Sequence, residues 1–369
     1  MNTTGKHKIC FFIGSLEFGG ISRVYMNLIP ELIQRDDISI DLFLLKEGGE
    51  YLKEVPKEAR VFVSTGNPIK RLFAYTAYLW KEKPMFSLST RQRLDIINIL
   101  CCLLTFLRTK PVITVHTHLS MEIESKSNAS KMYPFLSKLM YRIPQKFIAV
   151  SQGVKEDFSK RTGVKLEKIQ VIYNPIPTYQ GTKPVQVHPV FEKLVEEKKQ
   201  IIISAGRLTE AKDFSTLIHA FGMVRAKTDA VLVILGEGHL RASLEQQIKE
   251  LNLEESIFLM GYVEIPSFYI QFAKLFVLSS KWEGFAAVIV ESLDVGVPVV
   301  STDCPSGPRE ILKDGEYGKL VPVGDSLQLS QAILSSLQET VDSNFLKQRA
   351  VEFSVKKIEP EYYNYLFQV

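Results

Sequence analysis

Short apolar, β-branched runs alternate with segments of helical period along almost the whole chain, and the alternation breaks once, between about Val171 and Gln200. A strand, a helix and a further strand in succession close most simply as a parallel crossover unit, so the fold class is α/β with mainly parallel sheets. Before the break the pattern predicts strands at Lys8–Gly14, Ile38–Leu45, Arg60–Ser64, Pro84–Ser89, Pro111–Thr117 and Lys146–Ser151. Helices are expected from about Ser22 to Arg35 and over Arg91–Arg108. After the break the expected strands are Gln200–Ala205, Ala230–Leu235, Ile257–Met260, Leu275–Ser279 and Val297–Ser301, with helices over Phe214–Lys227, His239–Leu251 and Ala287–Val295. The break itself holds Pro175, Pro177, Pro184 and Pro189 among glycine and polar residues, the composition of an exposed linker. A chain of 369 residues has room for two cores of this kind. The reading is two Rossmann-like, doubly wound domains: residues 1–178, a linker at 179–195, and residues 196–344. In open α/β sheets ligands bind beyond the carboxyl ends of the strands. Two such domains facing across a cleft would each supply one ligand.

Composition narrows the setting. Four cysteines without metal-ligand spacing suggest reduced, buried thiols rather than a disulfide framework, and hence a cytoplasmic protein. The apolar run Ile9–Ile13 is too short for a signal sequence. Ile96–Leu107 is too short for a membrane span. The net charge of +4 hides a split: residues 1–180 carry 26 Lys and Arg against 16 Asp and Glu, and the remainder 19 against 25. Solvated surface accounts for this, and so does a first half that faces an anionic membrane or a phosphate-bearing acceptor.

Four candidate sites fall at strand-to-helix junctions. In Gly14-Ser-Leu-Glu-Phe-Gly19-Gly20 consecutive glycines precede a helix, which suits either a plain turn or backbone N–H groups approaching an anion. The spacing is not that of a dinucleotide fingerprint. In Gly206-Arg207-Leu-Thr-Glu-Ala-Lys212 two cations can converge on a diphosphate, Arg207 as a planar fork and Lys212 as a point charge, or stay solvated. The third run, Lys-Trp-Glu283-Gly284-Phe285-Ala286-Ala287-Val-Ile-Val-Glu291, sets two carboxylates eight positions apart, able to accept from a ribose diol and a sugar hydroxyl. Gly284 and Phe285 would bring backbone N–H groups to the helix start, and Glu291 amid Val288–Val290 and Leu293 would otherwise be an acid turned to the core. His116 and His118 end a strand, where a packed core histidine and a site histidine fit equally. There is no Cys/His cluster and no Asp-x-Asp pair, so no metal or other cofactor is expected.

The run LSSKWEGFAAVIVESLDVGVPVVSTDCPSGPREILKDGEYGKLVPVGD, with GRLTEAKDF upstream and VIYNP near the break, resembles the retaining GT-B glycosyltransferases of family 4. The resemblance spans nearly the whole chain and is tightest over about residues 200–325. It implies that Glu283 and Glu291 form the family's paired-carboxylate element, that Arg207 and Lys212 hold a diphosphate, that Gly19 and Gly20 belong to its N-terminal glycine loop, and that His116 is its active-site histidine. The donor-binding set it implies is Gly19, Gly20, Arg207, Lys212, Glu283, Gly284, Phe285, Ala286, Ala287 and Glu291. The catalytic set is Glu283, His116, Arg207 and Lys212.

The implied activity is transfer of a hexose or N-acetylhexosamine from a nucleotide-sugar, UDP-linked on the resemblance of Pro305–Ile311, without a metal. The acceptor expected is a saccharide, free or carried on polyprenyl diphosphate, in bacterial surface polysaccharide (capsule or lipopolysaccharide) synthesis, the lipid-linked form being suggested by the charge split. With the basic first half and amphipathic helices at 69–82 and 130–146, this fits a peripheral enzyme on the inner face of the plasma membrane, with no nucleic acid partner. It also implies that residues 345–369, with Tyr362, Tyr363, Tyr365 and Phe367, pack back on the first domain. The chain departs from the pattern at Ser22, over 83–93 and at Asp294. A UDP-sugar epimerase of the same fold and a non-catalytic nucleotide-sugar-binding protein are the competing readings.

Overall fold

The computed structural model describes residues 6–17, 19–120, 138–144 and 146–367. The chain divides into two compact units, one made of Met1–Pro177 with Val355–Val369 and the other of Thr178–Ser354.

Unit 1 is built on β1 (His7–Ile13), β2 (Ile38–Leu44), β3 (Arg60–Val63), β4 (Phe86–Ser89), β5 (Lys110–Val115), β6 (Lys146–Ala149) and β7 (Ile169–Val171). These pair in the order β3-β2-β1-β4-β5-β6-β7, every pair parallel. The named helices that follow its strands are α1 (Gly20–Leu32), α2 (Pro68–Glu82), α3 (Gln92–Leu104) and α4 (Gln152–Thr162). Helices on both faces explain why β1 reads as an unbroken apolar run. Its Ile9, Phe11 and Ile13 pack in one cluster with Tyr25, Leu28 and Ile29 of α1. Its Cys10 and Phe12 pack in another, with Tyr75 and Leu79 of α2 and Cys101 and Cys102 of α3.

Unit 2 repeats the plan with β8 (Ile201–Ala205), β9 (Val231–Leu235), β10 (Ile257–Leu259), β11 (Leu275–Leu278), β12 (Val299–Thr302) and β13 (Lys319–Val321), in the all-parallel order β10-β9-β8-β11-β12-β13. Its helices are α5 (Pro189–Glu196), α6 (Phe214–Arg225), α7 (Arg241–Glu250), α8 (Pro266–Ile270), α9 (Ala287–Asp294), α10 (Pro308–Ile311), α11 (Ser326–Gln338) and α12 (Ser343–Val351). In both sheets the strand order reverses once, between β1 and β4 and between β8 and β11. A ligand crevice is expected at such points.

The last helix, α13 (Val355–Phe367), returns to unit 1. Ile358, Tyr362 and Leu366 enter the core beside α1, and Arg35 holds Glu359 through two hydrogen bonds of 2.6 and 3.1 Å.

The boundaries differ from the sequence reading in three places. Most of the expected linker 179–195 belongs to the body of unit 2, because Phe191 and Leu194 of α5 are buried and Phe191 packs on Tyr269. The return to unit 1 starts at Val355 rather than 345, since α12 stays with unit 2, where Ser343 donates to the Gly296 carbonyl. The helix predicted to reach Arg108 stops at Leu104. There the Leu107 amide donates to the Cys102 carbonyl while Phe106 (φ 56°) and Leu107 (φ 53°) take left-handed backbone, closing the helix end with a reversed turn. The strands β7 and β13 were not expected, being only three residues long. Cys10, Cys101, Cys102 and Cys304 are all buried free thiols. Among the described residues no helix is long and apolar enough to cross a membrane. Helix α2 covers the amphipathic segment expected at 69–82, and most of the one at 130–146 lies outside the described residues.

Candidate active site

Unit 2 carries all of its predicted residues on the segments that follow β8 and β11, the two strands flanking its reversal point. After β8 the chain turns through Gly206 and Arg207, and the Lys212 side chain folds back across Gly206. A Cβ built on Gly206 would come within 2.9 Å of Lys212 Cε. After β11 the chain runs through Ser279 and Ser280 to Glu283. Lys212 Nζ then meets Glu283 Oε1 at 2.5 Å, joining the two loops. Both side chains are largely buried, the lysine 19% and the glutamate 11% exposed. Ser280 Oγ donates to the same Oε1 at 2.6 Å, and Ser279 Oγ donates to the Lys212 carbonyl at 2.8 Å. Burial and then the Glu283 charge push the nearby Cys304 thiol up to about 12, so it stays protonated. Arg207 is exposed at the mouth of its loop.

Past Glu283, Gly284 and Phe285 lead into α9, whose N-cap, Ala286, has left-handed backbone at φ 68°. A non-glycine residue there stores strain, of the sort that persists where surroundings over-determine a site. The surroundings are the Pro305–Gly307 turn. Glu283 N donates to the Pro305 carbonyl at 3.4 Å, and a Cβ on Gly307 (φ 90°) would sit 2.2 Å from the Phe285 carbonyl oxygen. Ala287 opens the helix, and Glu291, one turn on, is buried at 6% exposure.

Unit 1 holds the remaining predicted residues after β1, at its own reversal point, and after β5, two strands away in the sheet. A small pocket is lined by Ile21, Thr90, Arg91, His116, Thr117 and Tyr141, among others. His116 follows β5 and stands edge-on to Tyr25 at 6.1 Å, and its Nε2 has no hydrogen-bond partner among the described residues. Burial, then the Arg91 charge, lower its pKa to about 4, so the ring is neutral at physiological pH. His118 does different work. Its Nδ1 lies 3.7 Å from Asp157 Oδ2, tying the end of the β5 loop to α4. Gly19 is extended rather than left-handed, and a Cβ on Gly20 would meet nothing within 4 Å, so this loop leaves open space in front of α1. Ser22 closes the loop from behind, its Oγ donating to the Ser15 carbonyl at 3.4 Å. Asp294 is used structurally too: its Oδ2 accepts from the Tyr179 amide at 2.6 Å.

The comparisons with known proteins cover both units. The family description "Glycosyl transferases group 1" matches residues 189–352, and "Glycosyltransferase Family 4" matches residues 18–180. A relative from Campylobacter jejuni, N-acetylgalactosamine-N,N'-diacetylbacillosaminyl-diphospho-undecaprenol 4-alpha-N-acetylgalactosaminyltransferase, is 31% identical over 97% of this chain and 99% of its own. The chain belongs to glycosyltransferase family 4. Among solved structures, Anabaena HepE in complex with UDP-glucose superposes with a TM-score of 0.82 over 98% of this chain and 100% of that one at 22% identity. The apo lipopolysaccharide outer core galactosyltransferase WaaB gives 0.76 over 98% and 99% at 19%. The fold is thus that of the GT-B glycosyltransferases, two Rossmann-like units with parallel sheets.

One loop of this glycosyltransferase went unnoticed in the sequence. Gly236-Glu237-Gly238, after β9, passes so close to the Arg207 loop that a Cβ on Gly236 would lie 1.9 Å from the Gly206 carbonyl oxygen, and one on Gly238 2.2 Å from that of Leu208. The two glycines let backbone stack on backbone behind Arg207. A Gly-x-Gly directly after a strand was the available signal.

Proposed function

We propose that this glycosyltransferase moves a hexose or N-acetylhexosamine, with retention of anomeric configuration, from a UDP-sugar to a saccharide carried on polyprenyl diphosphate, in the assembly of a bacterial surface polysaccharide. The observation that carries the reading is the Lys212–Glu283 pair at the reversal point of unit 2, with the α9 N-terminus and buried Glu291 alongside. The Campylobacter relative's name supports a lipid-diphosphate acceptor and an N-acetylhexosamine, and the UDP-glucose bound to HepE supports uridine.

In this reading Arg207 and Lys212 neutralise the diphosphate, with backbone N–H groups from Gly284 to Ala287 completing its cradle. Gly19 and Gly20 let backbone approach a ligand closely. Glu291 accepts hydrogen bonds from the ribose diol. Glu283 holds a sugar hydroxyl, and through its ion pair sets the position of Lys212. The acceptor hydroxyl forms a new bond to the anomeric carbon on the face from which the diphosphate leaves. The bond from that carbon to the phosphate oxygen breaks, and the hydroxyl proton passes to a phosphate oxygen. Charge develops on the diphosphate as that bond breaks, so fixed cations stabilise the transition state more than the ground state. His116 is neutral and buried, so it serves as a hydrogen-bond partner for the sugar and not as a cation. No resident metal or other cofactor enters this scheme.

The test is calorimetry with UDP, GDP and ADP, then UDP-Glc, UDP-Gal and UDP-GlcNAc, repeated with Glu291→Ala. Selective uridine binding that weakens in the variant is expected. A folded protein that binds no nucleotide-sugar would overturn the donor-site assignment.

A further inference from the structure

Helix α2 is apolar on two opposite sides. Tyr75, Tyr78 and Leu79 face the sheet and are buried, as an ordinary amphipathic helix requires. The outward side repeats the pattern with Ile69, Phe73, Ala77 and Trp80, spaced to form a single stripe. Ile69 is 66% exposed, Phe73 69% and Trp80 47%. The stripe does not end with the helix. Trp80 lies edge-on to Phe106 at 6.4 Å, and Phe106, in the turn after α3, is 78% exposed. Leu103, Leu104 and Leu107 are exposed beside it. The turn that presents Phe106 runs through two successive non-glycine residues in left-handed backbone, a conformation that costs free energy at each. The turn closes the end of α3, but that closure does not call for a solvated phenylalanine at its tip.

The segment that carries this surface is strongly basic. Residues 65–110 contain eight Lys and Arg against two acids. Both acids are engaged elsewhere: Glu82 bonds Lys8 at 2.8 Å and Arg60 at 2.5 Å, and Asp95 is buried, accepting from Tyr141. Arg108 stacks on Trp80 at 4.8 Å, while Lys70, Lys81, Lys83 and Lys110 have no carboxylate partner among the described residues. A second copy of this chain would bring like charge to like charge across the patch. A sheet of anionic headgroups over an apolar interior complements both properties.

We infer that the Ile69–Phe73–Trp80 stripe and the Phe106–Leu107 turn dock on an anionic lipid bilayer, Trp80 and Phe106 entering the interface and the surrounding lysines and Arg108 meeting the headgroups. This deepens the transferase reading, and rests on it only in saying that a lipid-linked acceptor would be met there. Trp80 is one of two tryptophans, so in a Trp282→Phe chain its fluorescence reports the surface alone.

The experiment is vesicle flotation of the full chain on phosphatidylcholine with and without phosphatidylglycerol, together with quenching of Trp80 by brominated acyl chains. Binding and quenching only on the anionic vesicles are expected, with binding weakened about tenfold by Phe106→Gly and by Phe73→Gln. Glycine relieves the left-handed strain, so Phe106→Gly should raise thermal stability while lowering binding, which a purely structural role of Phe106 would not do. Equal binding to neutral vesicles, absence of binding to anionic ones, or concentration-dependent dimers abolished by Phe106→Gly would each overturn the inference. A uridine nucleotide titration on the same samples separates this result from the donor reading: vesicle binding without nucleotide binding upholds the surface and removes the uridine-donor reading.

Discussion

Lys212 and Glu283 are 71 residues apart in sequence and 2.5 Å apart in space, one from the loop after β8 and the other from the loop after β11. The pair makes opposite predictions for its two members. Glu283→Gln frees Lys212 for phosphate, so UDP affinity should hold or rise while kcat falls about a hundredfold. Lys212→Met should weaken UDP about tenfold and lower kcat by about 10²–10³. Calorimetry alongside turnover checks the split, and equal loss of UDP affinity in both would show that the pair does not act this way.

Arg35 and Glu359 anchor α13 to the turn after α1, and Arg35 also stacks on Tyr363 at 3.9 Å. Glu359 is largely buried, so removing either partner should cost about 1–3 kcal/mol, with the double Ala variant costing less than the sum. Urea melts of unit 1, followed separately from unit 2, supply the measurement.

The lowered pKa of His116 has a consequence with a definite sign. Between its ordinary value near 6.5 and its folded value of about 4, the unfolded chain binds a proton that the folded one does not. Stability should therefore be full above about pH 6.5 and decline as pH falls toward 4, by up to roughly 3 kcal/mol from this group. In His116→Gln that part of the slope should vanish, which urea midpoints at two pH values would show.

Gly307→Ala would drive a Cβ into the Phe285 carbonyl and strain a residue at φ 90°. A loss of about 2 kcal/mol or more is expected, with weaker nucleotide binding because the α9 N-terminus must shift. Unchanged binding by the variant would show that the Pro305–Gly307 turn does not brace that loop.

Most of the architecture was legible because buried parallel strands such as Phe11–Ile13 and Ile201–Ile203 announce themselves as apolar runs. The Glu283 and Glu291 spacing was legible for a related reason: a carboxylate amid Val288–Val290 has no cheap core explanation. What could not be read depended on partners far along the chain. Nothing near Lys212 says that its side chain crosses Gly206 to reach Glu283, and nothing near Asp294 says that it holds the Tyr179 amide. The linker failed as a prediction because proline and polar content measures lack of periodicity, not lack of packing. Buried Phe191 and Leu194 bind α5 to unit 2. The outward stripe of α2 was half visible, since periodicity shows an apolar side but not which of two such sides the sheet will take.

Because α13 completes the core of unit 1 from the far end of the chain, the two units must become stable in an order set by translation. Unit 2 is one uninterrupted stretch and can finish while the ribosome is still attached. Unit 1, although it is begun by β1, lacks Ile358, Tyr362 and Leu366 until α13 has been made. Until then the apolar cluster that β1 shares with α1 stays open to solvent and to chaperones. A chain without α13 would therefore carry a finished unit 2 on an unsealed unit 1, so that this thirteen-residue helix acts as the latch of a domain begun more than three hundred residues earlier.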